Sequence, residues 1–238
     1  MKRFAPLIAI AFVSLIAPAF GEMNIDVVVD GLNNPWEMVF APNGDIYFSE
    51  RDGRVWKIEN FGEAKVIQTF PKSGSYEGGT LGLALHPNFE ENKKIYIYQT
   101  NLELEFFQNK VFSFTVDGDE LVDVQTVIDD IPGAPWHDGG RIAFGPDDKL
   151  YITTGDAVNP GWSQDLSSLA GKILRINSDG SIPDDNPFDS SAIFSYGHRN
   201  PQGIAWNEDG LFVSSEHGPS GEMGYGHDEI NVIVKGEN

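Results

Sequence analysis

Four polar loops carry the residue types that proton and charge transfer require. In PWHDGGR, residues 135–141, His137 stands beside Asp138 and two glycines that keep bulky side chains away. An imidazole titrates near neutrality and is the usual general base, although a histidine between strands also serves as plain structure. In SYGHRNPQG, residues 195–203, Arg199 lies between His198 and Asn200. A planar guanidinium next to an amide suits a carboxylate or a developing oxyanion; the alternative is a salt bridge to an acidic surface. In SEHGPSGEMGYGHDE, residues 215–229, the carboxylates Glu216, Asp228 and Glu229 join the carbonyls of the His-Gly-Pro turn. These are the hard oxygen ligands that calcium takes, and equally the solvated groups of an acidic loop. The fourth loop is SYEGGTLG, residues 75–82.

Other chemistries are excluded by what the chain lacks. It has no cysteine, so disulfides, thiolate catalysis and cysteine metal sites are absent. No phosphate-cradling loop, dinucleotide fingerprint, nucleophile elbow or zinc-spaced histidine pair occurs. SDGSIPDDNPFD, residues 178–189, is acidic but lacks the spacing of a calcium-binding loop, and reads as solvated turns. His86, in the turn HPNF, reads as structural. Against 16 Lys and Arg stand 36 Asp and Glu, a formal charge of −20. Such a chain repels phosphate backbones and anionic lipid surfaces, so nucleic acid is not expected as a partner.

The elements that must position these loops recur along the chain. An apolar strand, a turn with Pro or Asn beside Gly or Asp, and a second strand begin at residues 35, 80, 140 and 202. Each pair reads as a β-hairpin with period-two alternation, as in Ile46 and Phe48 or Tyr151 and Thr153. A further strand follows each: GRVWKIEN, NKVFSFTVDGDEL, GKILRINSDGSI and DEINVIVKGEN. Repeats of this size predict an all-β fold, a β-propeller with about four blades, and no helix. Three of the four polar loops immediately precede the first strand of a repeat. They therefore gather at one end of the central channel.

The N-terminus, MKRFAPLIAIAFVSLIAPAFGE, has a basic start, an apolar run and small residues near its end. That layout predicts a signal peptide over residues 1–21 and export to the periplasm, cell surface or medium. A retained membrane anchor is the alternative, but the run is interrupted by Pro6 and Pro18 and is short for a spanning helix. Residues 22–238 then form the propeller domain, with no membrane span after signal removal.

EGGTLGLALHPNF, WHDGGRIAFGPDDKLYITTGD, LAGKILRINSDGSIPDDNPF, YGHRNPQGIAW and SEHGPSG with DEINVI occur in this order. With these motifs the chain resembles the glucose/sorbosone dehydrogenase family, soluble quinoproteins that oxidise aldose sugars with pyrroloquinoline quinone (PQQ). The resemblance implies a six-bladed propeller, of which about four blades are present here, with further cofactor-binding Lys and Arg lying beyond Asn238. It implies that His137 takes the proton of the sugar C1 hydroxyl while hydride passes from C1 to the quinone. It implies that Arg199 stabilises the reduced quinone, that Asp138 and Asn200 contact the cofactor, and that Ca2+ is bound through the carbonyls of Gly218 and Pro219. Where some relatives carry Gln, this chain has Glu77, an anion facing an anionic cofactor. The implied partners are an aldose and an electron acceptor of unspecified kind. Two other classes remain open: a non-catalytic propeller that binds a protein or glycan, and a calcium-dependent lactonase on a similar scaffold.

Overall fold

The computed structural model describes residues 25–72, 76–103, 106–219 and 226–238. The expected signal segment, residues 1–21, lies outside the described residues. Residues 25–30 carry no strand or helix, and the compact body is Gly31–Asn238. Among the described residues no helix is long and apolar enough to cross a membrane.

Four antiparallel sheets follow one another along the chain as the blades of a β-propeller. Blade 1 is β1 (Pro35–Phe40), β2 (Ile46–Glu50), β3 (Arg54–Ile58) and β4 (Ala64–Thr69). Blade 2 is β5 (Thr80–Leu85), β6 (Lys94–Glu103), β7 (Phe106–Asp117) and β8 (Glu120–Pro132). Blade 3 is β9 (Ile142–Phe144), β10 (Leu150–Thr154), β11 (Lys172–Ile176) and β12 (Ile193–Tyr196). Blade 4 holds three strands among the described residues: β13 (Pro201–Trp206), β14 (Phe212–Glu216) and β15 (Glu229–Val232). All four expected hairpins are present.

Two local details differ from expectation. NKVFSFTVDGDEL is not one strand, because Gly118 adopts a φ of 59° and turns β7 into β8, with Asp117 pairing Glu120. That is a two-residue hairpin turn of the kind glycine favours. Two short helices also occur, α1 (Phe89–Asn92) and α2 (Pro160–Gln164). The second starts where Asn159 accepts a hydrogen bond from the Gly161 N–H and proline occupies the first turn, a start that needs no long periodic pattern.

The strands are more fully buried than a one-sided alternation implies. Every residue of β2, β10 and β11 is buried. In the two inner blades the reason is that a neighbouring blade covers each face. In β6, Ile95 and Ile97 pack toward blade 1 with Tyr47 and Val55, whereas Tyr96 and Tyr98 pack toward blade 3 with Leu150 and Ile152. Successive side chains of a strand point to opposite faces, so both sets are apolar. In blade 3, Leu174 faces blade 2 and Ile173 joins Phe212 and Ile233 of blade 4. Each such aliphatic side chain contributes about 1.5–3 kcal/mol on burial.

The leading strands converge. β5 packs against β1 and β2, β9 against β5, and β13 against β10. Between them Arg141 donates to the Glu37 carboxylate of blade 1 and, at 3.0 Å, to the Gln202 carbonyl of blade 4. Its guanidinium lies 4.2 Å over the Trp36 ring, a contact that gains strength from burial. One residue of blade 3 thus ties together the strands that carry the polar loops.

Candidate functional site

The loop before β9 is built by close backbone approach. A Cβ on Gly155 would fall 1.8 Å from the His137 carbonyl oxygen, so the chain leaving β10 passes directly against the histidine. His137 itself has a φ of 64°, a left-handed conformation that costs a non-glycine residue about 1–3 kcal/mol and that the surrounding structure must hold. Gly139 and Gly140 have φ values of 65° and 101°, and Cβ atoms there would meet the Thr153 carbonyl at 2.6 Å and Leu81 at 2.4 Å. Their role is therefore to seat the loop on β10 and β5. Clearing room for a ligand, the role expected from sequence, is not what their surroundings require.

The His137 side chain is held by Asp156, a residue to which sequence reasoning gave no role although it ends the quoted TTGD. The two lie 2.7 Å apart, Nδ1 to Oδ1, with side-chain exposures of 15% and 3%. A carboxylate is acceptor-only, so Nδ1–H is the donor and Nε2 is the ring nitrogen left to exchange a proton. Asp156 also accepts from the Val158 N–H at 2.8 Å, and its own N–H donates to the Arg199 carbonyl at 2.7 Å. The dyad is thus hydrogen-bonded into the loop that carries the arginine.

Glu77 joins three loops. Its Oε2 accepts from the His137 N–H at 2.8 Å and from the Asn200 side-chain amide at 3.3 Å. Asn200, 1% exposed, accepts from the Gly139 N–H at 3.0 Å through its Oδ1. The polar loops leading into blades 2, 3 and 4 meet here, as their equivalent positions in the repeats require. Asp138 is also drawn into the loop's own hydrogen bonding. It is 1% exposed, with Oδ1 accepting from the Ala134 N–H at 3.1 Å and the Asn109 amide at 3.3 Å. The Tyr98 hydroxyl, kept protonated because burial drives its pKa well up, donates to the Asp138 carbonyl at 2.7 Å. Asp138 and Asn200 hold the loops from within.

Arg199 is half-buried, and one of its nitrogens donates to the His217 carbonyl at 3.2 Å. His137, Asp156, Arg199, His198, Val158 and Pro219 line a single cleft of about 480 Å³. The imidazole and the guanidinium therefore face one space, from loops of different blades.

Behind Arg199 runs a buried polar chain. Ser195 Oγ lies 2.8 Å from His198 Nε2, and His198 Nδ1 lies 2.9 Å from Glu216 Oε2. The other Glu216 oxygen accepts from the backbone N–H groups of Arg199 and Asn200. Burial alone would raise the Glu216 pKa, but the hydrogen bond and charge of His198 and the two N–H groups hold it below the usual glutamate value. Blade 1 repeats this device. Buried Glu50, likewise the last residue of a second strand, accepts from the Asn33 N–H and from the Trp56 indole at 2.6 Å. Pro35 pairs with Glu50 as Pro201 pairs with Glu216. Glu216 is thus a loop-holding carboxylate, with both oxygens engaged by His198 and by backbone N–H groups.

Asp228 accepts from the Gly218 N–H at 3.0 Å, and Glu229 accepts from the Asn231 amide at 3.3 Å. Among the described residues no three His, Cys, Asp or Glu side chains converge on a metal position. The three carboxylates expected to bind calcium do not form one ligand set. The acidic segment 178–189 is also anchored rather than merely solvated: Asp185 and Asn186 receive the Arg175 guanidinium at 2.8 and 2.9 Å, and Tyr96 donates to the Ser178 carbonyl at 2.9 Å.

Propeller blades whose leading loops bring an anchored histidine and an arginine to one cleft define an enzyme-like propeller. The glucose/sorbosone dehydrogenase profile matches residues 32–238, and the chain belongs to that family. It is 33% identical over 249 residues to aldose sugar dehydrogenase YliI of Escherichia coli, covering 98% of this chain and 65% of that protein. It superimposes on the PQQ-bound aldose sugar dehydrogenase of Streptomyces coelicolor with a TM-score of 0.82 and 38% identity, over 90% of this chain and 64% of that one. It is also 30% identical over 215 residues to the Hedgehog-interacting protein of Mus musculus, covering 74% of this chain and 31% of that protein. The chain spans less than two thirds of the length of these relatives.

Proposed function

We propose that this chain provides the imidazole and guanidinium side of a quinoprotein sugar dehydrogenase that oxidises the C1 hydroxyl of an aldose to the lactone. The observation that carries the reading is the single cleft shared by the Asp156-anchored imidazole and Arg199. The donor set fits PQQ, an anionic, oxygen-rich ligand: a guanidinium has five N–H donors, and among the described residues that of Arg199 gives one of them to the His217 carbonyl.

Bound PQQ supplies the acceptor for the hydride leaving C1. His137 takes the hydroxyl proton at Nε2, because Nδ1 is committed to Asp156. Asp156 keeps the ring in that tautomer and stabilises the imidazolium that forms. Arg199 places positive charge on the cleft wall where an anionic ligand meets it. Glu77, Asp138 and Asn200 hold the loops that carry both groups. Calcium is proposed only through the carbonyls of Gly218 and Pro219, and no step depends on it. Export through the N-terminal segment completes the proposal, since it would bring the site to external sugars.

A second reading, a propeller that binds a protein partner, is favoured by the likeness to the Hedgehog-interacting protein. Spectroscopic titration of PQQ into the protein in its full natural length separates the two. We expect saturable binding that Arg199→Ala weakens at least about tenfold. Absence of quinone binding by the folded parent would favour the protein-binding propeller.

A further inference from the structure

One residue along the chain from Glu77 and His137, Tyr76 and Trp136 stack face to face, with ring centroids 4.9 Å apart and planes 3° from parallel. Each directly precedes a residue of the site in the chain: Tyr76 precedes Glu77, and Trp136 precedes His137. Both are open to solvent, at 68% and 46%. The stack is fixed by backbone, since the N–H groups of Tyr76 and Glu77 both donate to the Pro135 carbonyl at 3.1 Å. Neither ring belongs to the residues lining the His137–Arg199 cleft.

Two large aromatic rings held parallel and exposed leave an outer face free for a flat ligand, at little further cost in side-chain entropy. The ligand class is set by the neighbouring chemistry. A sugar ring presents a face of C–H groups that packs on an aromatic face, while its hydroxyls remain in water. The reacting ring must enter the cleft to reach His137, so a ring on the platform is a different one. We propose that Tyr76 and Trp136 form a binding platform for the second glycosyl unit of a substrate whose reducing-end unit occupies the cleft. The inference rests on the sugar-dehydrogenase reading and assigns these two residues a part in choosing chain length.

The test uses the protein in its full natural length and two readouts. In the first, the PQQ-loaded enzyme is assayed with a reducing disaccharide and with the matching monosaccharide. Trp136→Ala should lower the disaccharide-to-monosaccharide ratio of kcat/KM about tenfold, and Trp136→Phe should restore most of it. In the second, a methyl disaccharide glycoside, blocked at C1 and not oxidised, is titrated into the quinone-free protein by saturation-transfer NMR. It should bind the parent and lose affinity about tenfold in Trp136→Ala and in Tyr76→Ala. Equal loss on both sugars, or unchanged glycoside binding in both variants, would overturn the platform and leave the stack as a brace between loops. Binding of the glycoside without oxidation of any aldose would uphold the platform while sinking the dehydrogenase reading.

Discussion

His137 Nδ1 lies 2.7 Å from Asp156 Oδ1, and the carboxylate is closed off from solvent by the loops it joins. The pair fixes which imidazole nitrogen can accept a proton. It also joins the histidine loop to the arginine loop, because the Asp156 N–H donates to the Arg199 carbonyl.

Asp156→Asn should therefore retain quinone binding and lose turnover. An amide in place of the carboxylate removes the charge that stabilises an imidazolium and permits the wrong tautomer. We expect kcat to fall by about 10²-fold or more, measured by steady-state dye reduction with saturating aldose.

Glu216 sets an acid limit on stability. Its native pKa is held below the ordinary value, so the unfolded state takes up the proton first as pH falls. Its stabilisation is complete above the usual glutamate range, about 4.3, and is lost as pH drops through the depressed native value. Glu216→Gln should lower stability at neutral pH by about 1–3 kcal/mol, and the difference from the parent should shrink at the acid end. Urea midpoints measured against pH provide the check.

Lys172 acts at the other end of the scale. Its buried ammonium donates to the carbonyls of Trp162, Ser163 and Ala170 at 2.7, 3.0 and 2.7 Å. Burial lowers its pKa to about 8, only partly opposed by the Asp165 charge. The native state then releases the proton before the unfolded chain does. Relative to Lys172→Met, the parent should gain stability as pH rises from about 8 toward the ordinary lysine value of about 10.4. Thermal midpoints over that range should show the parent-minus-variant difference rising with pH. A constant gap would contradict the assignment.

The blades were legible in the sequence because hairpin turns repeat in register, and the site was legible because its loops sit at equivalent places in those repeats. His137 and Arg199 are brought to one cleft as their positions imply. Asp156 was not marked because its role depends on a backbone approach permitted by Gly155, which only the fold reveals. The loop-holding contacts of Asp138 and Glu216 were not legible, because a carboxylate in a polar loop reads the same whether it turns outward or caps backbone N–H groups. A signal for Glu216 was nevertheless available: NNP before YFSE in blade 1 matches RNP before VSSE in blade 4, and Glu50 lies far along the chain from any proposed metal.

The central claim is that the His137 imidazole removes the C1 hydroxyl proton. Its most direct test is aldose-dependent dye reduction by PQQ-loaded His137→Gln, with quinone binding measured on the same sample. The account predicts undiminished quinone binding with turnover reduced by about 10²–10⁴-fold. Turnover equal to the parent's in a quinone-saturated variant would contradict it.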